Sequence, residues 1–128
     1  MTKSDSQKTI LLVDDDMVNL TILKTLISGA GYSVLTAENG REALTVAGKN
    51  VPDLIILDIM MPEMDGTELA TVLKGDPRTH KIPIIFLSSL ISAKEERRDI
   101  NKTLISYLSK PYKRDQLLNL VRKYLSPA

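Results

Sequence analysis

Five short runs of branched apolar residues, each followed by a stretch with helical spacing, constrain this chain most. The runs are Thr9–Asp14 (TILLVD), Ser33–Ala37 (SVLTA), Asp53–Asp58 (DLIILD), Ile82–Ser88 (IPIIFLS) and Ser106–Ser109 (SYLS). Continuous runs of this length suit strands buried on both faces of a parallel sheet. Between them lie helical stripes: Leu20, Leu23, Leu26 and Ile27; Ala43, Leu44 and Ala47; Leu69, Val72 and Leu73. Ser92 with Glu95 reads as a capping box opening a fourth, polar helix through Lys102, and Leu117, Leu118, Leu120, Val121 and Tyr124 pattern the fifth. Gly31 and Gly75 are natural helix stops. Strands alternating with helices predict an α/β domain with helices on both sheet faces. Right-handed crossovers then favour a doubly wound, five-stranded parallel sheet of order 2-1-3-4-5, with five helices.

The chain of 128 residues is the size of one domain with a real core. Residues 1–8 are expected to be a disordered tail and 9–126 the domain. A net charge of +1 gives no global attraction to nucleic acid or a membrane surface. The absence of cysteine excludes a disulfide framework, a thiolate metal site and a cysteine nucleophile. With no apolar run of membrane-spanning length and a polar start, MTKSDSQK, a cytoplasmic location is expected.

In open α/β sheets, ligands bind beyond the carboxyl ends of the strands. Reading those ends in turn gives Asp14, Asp15 and Asp16, then Asp58, then Ser88 and Ser89, then Lys110-Pro111. Asp16 reads as the cap of the following helix. A lone acid at a strand end would be an ordinary loop residue. Several acids converging repel one another, and a hard divalent ion, Mg²⁺ in particular, is their natural neutraliser. Lys110 adds a point charge suited to a phosphate oxygen, and the Ser88 hydroxyl could bond another. A carboxylate nucleophile, Mg²⁺, a lysine and a hydroxyl make a site for phosphoryl transfer, in which an Asp can form a covalent aspartyl phosphate. Asp58 sits where a buried strand holds it rigidly with its carboxylate toward the site.

The motifs LLVDDD, LDIMMPEMDG, IIFLSS and YLSKPY, in this order, resemble the receiver domains of two-component response regulators, and the likeness runs from Ile10 to about Leu125. The resemblance implies a CheY-like, flavodoxin-type fold. It makes Asp58 the phosphoacceptor, with Asp15, Asp58 and the Met60 backbone carbonyl as Mg²⁺ ligands and Asp14 acting through water. Ser88 takes the place of the switch hydroxyl, Tyr107 of the switch aromatic and Lys110 of the phosphate contact. The Lys110–Pro111 peptide is expected to be cis. The implied donor is a sensor histidine kinase or phosphotransfer protein, and the implied output face is the fourth helix, fifth strand and fifth helix. A monomer or weak dimer is expected. Family members usually carry Gly-Ala where this chain has Thr103-Leu104, which bears on the room available to the switch.

Other chemistries find less support. There is no Walker-type loop or dinucleotide fingerprint. His80, in a polar loop, reads as a surface residue. The basic residues Lys110, Lys113, Arg114, Arg122 and Lys123 read as a solvated helix face, so no direct nucleic-acid contact is expected. A phosphatase with an aspartyl intermediate would usually place a second Asp two residues after the first, where this chain has Met60. The alternative of a different class is a receiver-like interaction scaffold working without phosphorylation.

Overall fold

The computed structural model of the protein describes residues 7–59, 66–88 and 105–125. The chain alternates as expected: β1 (Thr9–Val13), α1 (Met17–Gly29), β2 (Ser33–Ala37), α2 (Gly40–Asn50), β3 (Leu54–Asp58), α3 (Gly66–Lys74), β4 (Ile84–Ser88), β5 (Ile105–Ser109) and α4 (Arg114–Leu125). All neighbouring strands pair in parallel, in the order β2-β1-β3-β4-β5. Four helices fall among the described residues. The helix expected over Ser92–Lys102 lies outside them, and α4 is the fifth helix of the sequence pattern.

Two apolar layers sandwich the sheet. On one face Leu11, Val13, Ile55, Leu57, Ile84 and Phe86 pack against α2 and α3. On the other Ile10, Leu12, Leu54, Ile56, Ile85 and Leu87 pack against α1 and α4. Alternate residues of one strand serve opposite layers, as the pleat requires. That is why β1, β3 and β4 read as unbroken apolar runs.

The expectation of burial on both faces fails at the sheet's edges. In β2, Ser33, Val34 and Leu35 are half-buried and Thr36 is exposed, while β5 alternates between buried and half-buried positions. Among the described residues the strand order puts both at an edge, with a neighbouring strand on one flank. Three strands are also shorter than their apolar runs. Asp14 follows β1, and Ile82 is buried but precedes β4. Asp53 precedes β3, and its carboxylate accepts a hydrogen bond from the Thr9 amide at 2.8 Å, tying the start of β1 to that of β3. Val72, expected on the buried stripe of α3, is 45% exposed.

Local signals set the helix ends. Asp16 caps α1 by accepting from the amides of Val18 at 2.9 Å and Asn19 at 3.4 Å. Beyond the α1 C-cap, Gly31 takes φ +101°, a conformation open to glycine at no steric cost. Asn39 caps α2 by accepting from the Glu42 amide at 2.8 Å. That helix ends at Val51 with φ 44°, the one non-glycine in the left-handed region among the described residues. A branched side chain is costly there, on the order of 1 kcal/mol.

Gly66, within a turn-like Met-Asp-Gly in the sequence, instead opens α3. A Cβ there would lie 2.5 Å from Leu57 Cδ1, 2.8 Å from Ile59 Cα and 2.9 Å from the Asp58 carbonyl oxygen. Its amide donates to the Ile59 carbonyl at 2.8 Å. The absent side chain lets α3 start directly against the end of β3, where Asp58 sits.

Candidate phosphoryl-transfer site

Parallel pairing in register brings the strand ends to one rim. Asp58 pairs across from Leu87, and Ser88 from Ser109, so β3, β4 and β5 finish side by side. Asp14 and Asp15 follow β1 on the other flank of β3. The carboxylate oxygens of Asp14, Asp15 and Asp58 come within 4.8 Å of one another. Asp14 is buried and Asp15 exposed. Asp58 is largely shielded, with its side chain 13% exposed.

The cation comes from the loop after β5. Lys110 Nζ stands 3.7 Å from Asp58 Oδ2. Its backbone amide donates to the Ser88 carbonyl at 2.9 Å, which ties this loop to the end of β4. The Lys110–Pro111 peptide is cis. Ser88 itself is buried at the end of β4. Of the residues expected at the site, Asp14, Asp15, Asp58 and Lys110 therefore converge, with Ser88 on the same rim. Met60 lies outside the described residues, as do Thr103 and Leu104. Tyr107 is not at the acid cluster. It sits half-buried in mid-β5, stacked on Phe86 with ring centroids 5.2 Å apart.

Burial pushes the Asp14 carboxyl above its usual range, the hydrogen bond from the Asp16 amide (2.9 Å) opposes this, and the Asp58 charge adds to the rise. The folded state thus holds this proton more firmly than the unfolded chain does. The associated stability is present below the ordinary carboxylate value and is lost as pH rises through the raised one. Without divalent cations, ionising Asp14 in the folded state places a buried charge beside Asp58, which opposes folding. Asp14→Asn keeps the acceptor for the Asp16 amide and removes a charge, so it should stabilise the cation-free protein at pH 7 by on the order of 1 kcal/mol. The gain should vanish in acid. Urea denaturation at both pH values checks this, and an equal gain at both would place the cause outside the charge.

The donor set is carboxylate oxygen without nitrogen or sulfur, which fits a hard divalent ion such as Mg²⁺. Beside it a recess of about 450 Å³ is lined by Asp14, Asn19, Ile22, Lys110, Pro111 and Tyr112 among others. Sequence reasoning passed over Asn19 and Tyr112. Tyr112 was findable by its place directly after Lys-Pro; burial, and then the Asp14 charge, push its hydroxyl above the usual tyrosine range. Asn19, in the first turn of α1, carries no comparable signal. His80 is exposed, as expected. No helix among the described residues is long and apolar enough to cross a membrane.

Comparison with known proteins points the same way. The family model described as the response regulator receiver domain matches residues 10–122. The polar-differentiation response regulator DivK of Brucella anthropi is 32% identical over 121 residues, covering 94% of this chain and 98% of that protein. The structure of the Vibrio cholerae chemotaxis protein CheY4 superposes with a TM-score of 0.81 at 30% identity, covering 93% of this chain and 99% of that one. The receiver domain of a Pseudomonas aeruginosa sensor histidine kinase, determined with magnesium coordinated in its active-site cleft, also gives a TM-score of 0.81, at 26% identity over 94% of this chain and 99% of its own.

Proposed function

The chain belongs to the response regulator receiver domain family, and from that premise we propose that it takes a phosphoryl group onto Asp58 in a Mg²⁺-dependent reaction and changes conformation in response. The observation that carries this reading is the placing of Lys110 Nζ 3.7 Å from an Asp58 carboxylate that shares its rim with Asp14 and Asp15. A purely structural ion pair would not need two further acids beside it. Receiver domains are signalling domains, and the activity proposed concerns only this chain's own phosphorylation state.

An Asp58 oxygen attacks the phosphorus of a phosphohistidine on a sensor kinase or phosphotransfer protein, or of a small acyl phosphate. The bond from phosphorus to the donor atom breaks, and its electron pair leaves with the donor. Such transfer rests on positioning and charge neutralisation. The end of β3 holds the nucleophile, Lys110 meets a phosphoryl oxygen, and the Ser88 hydroxyl bonds another. Asp15, Asp58 and the Met60 carbonyl would hold Mg²⁺, with Asp14 acting through water; when bound, the ion neutralises the carboxylates and the incoming phosphoryl oxygens. Ser88 and Tyr107 act as the switch pair, shifting a conformational equilibrium once the phosphoryl charge is in place.

The reading is tested by incubating the protein with acetyl phosphate and following intact mass. We expect one phosphoryl group per chain with Mg²⁺ present and none with excess chelator. Equal uptake under both conditions would remove the metal from the reaction, and no uptake from acetyl phosphate or from a phosphorylated histidine protein would leave the scaffold reading in its place.

A further inference from the structure

The hydroxyls of Ser106 and Tyr124 lie 2.6 Å apart, joining mid-β5 to the last turn of α4. Ser106 is 2% exposed and Tyr124 half-buried, packed against the apolar layer between sheet and helix. A hydroxyl buried in such surroundings is destabilising unless it is bonded. The pair therefore fixes one seating of α4 on β5.

The pleat puts this bond on the sheet face opposite Tyr107. Tyr107, the next residue, packs in the layer of α2 and α3 and stacks on Phe86, while Leu108 packs with α4. Among the described residues β5 is an edge strand, bonded to β4. It leads straight into Lys110, whose ammonium faces Asp58 and whose amide is held by Ser88. Any pull on Lys110 is thus applied to the end of β5, with Ser106 four residues upstream.

We propose that the Ser106–Tyr124 hydrogen bond is a coupling joint that carries the state of Asp58 from β5 to α4. The proposal rests on Asp58 being the phosphoacceptor. When a phosphoryl charge draws Lys110, the end of β5 shifts. Tyr124 follows Ser106, because parting would leave a buried hydroxyl without its bond. The sequence holds no hint of this pairing, since the residues are 18 apart on different elements.

Two measurements on the same sample test it: fluorine NMR of beryllofluoride bound with Mg²⁺, and amide hydrogen exchange over residues 114–125. In the wild type, bound fluoride should be visible and exchange in α4 should change. Tyr124→Phe keeps the ring and removes the hydroxyl; bound fluoride should persist while the exchange of α4 stays at its unliganded level. The double variant Ser106→Ala/Tyr124→Phe removes both polar groups and serves if the single variant folds poorly. It too should bind fluoride without a response in α4. A full response in α4 in the double variant, or fluoride bound to wild type with α4 unmoved, overturns the joint alone. No bound fluoride in wild type overturns both the joint and the phosphoacceptor reading.

Discussion

Asp58→Asn is expected to take up no phosphoryl group from acetyl phosphate while folding as wild type does. The amide is nearly isosteric with the carboxylate, so the end of β3 and its apolar layers should be undisturbed. It is, however, a poor nucleophile, and losing the attacking group typically costs on the order of a thousandfold in rate or more, which is about 4 kcal/mol of barrier. Removing one negative charge from beside Asp14 and Asp15 should, if anything, raise stability without divalent ions. Intact mass and thermal melting read the two effects separately. Wild-type uptake by this variant would move the acceptor to another residue.

Gly66→Ala should destabilise the fold and slow uptake together, although Gly66 carries no chemistry. The added methyl would meet Leu57 Cδ1 at 2.5 Å, and that side chain can shift. The Ile59 Cα at 2.8 Å and the Asp58 carbonyl oxygen at 2.9 Å are backbone and cannot yield cheaply. Overpacking of this kind costs about 1–3 kcal/mol. Relief must come from moving α3 away from β3 or displacing Asp58. A misplacement of about 1 Å at a reacting group can cost roughly a hundredfold in rate. Urea denaturation and a phosphorylation time course measure the pair. Unchanged stability and rate would show that α3 does not brace the acceptor.

The alternation of apolar runs and helical stripes was enough to reach the topology, because buried central strands must be apolar on both faces and parallel pairing demands crossovers. The same rule misjudged β2, whose run SVLTA is short and β-branched like the others. Only strand order tells that it stands at an edge, and order is a property of the whole sheet. The acid rim was legible because each contributor ends a strand or closely follows one, so strand ends predict convergence. Asp53 was taken into β3 since its neighbours are apolar; its bond to the Thr9 amide spans 44 positions and leaves no local trace. Ser106 and Tyr124 were hidden for the same reason. Gly66 stands in a Met-Asp-Gly that looks turn-like in sequence, whereas its role is set by what stands 2.5–2.9 Å from an absent atom.

The central claim is that Asp58 itself becomes the acyl phosphate. Borohydride reduction converts an aspartyl phosphate to homoserine, so tandem mass spectrometry of the treated, phosphorylated protein can read the position directly. The account predicts homoserine at position 58 alone, appearing only when Mg²⁺ was present during phosphorylation. Homoserine at position 14 or 15, or phosphate retained through reduction on a hydroxyl such as that of Ser88, would contradict it.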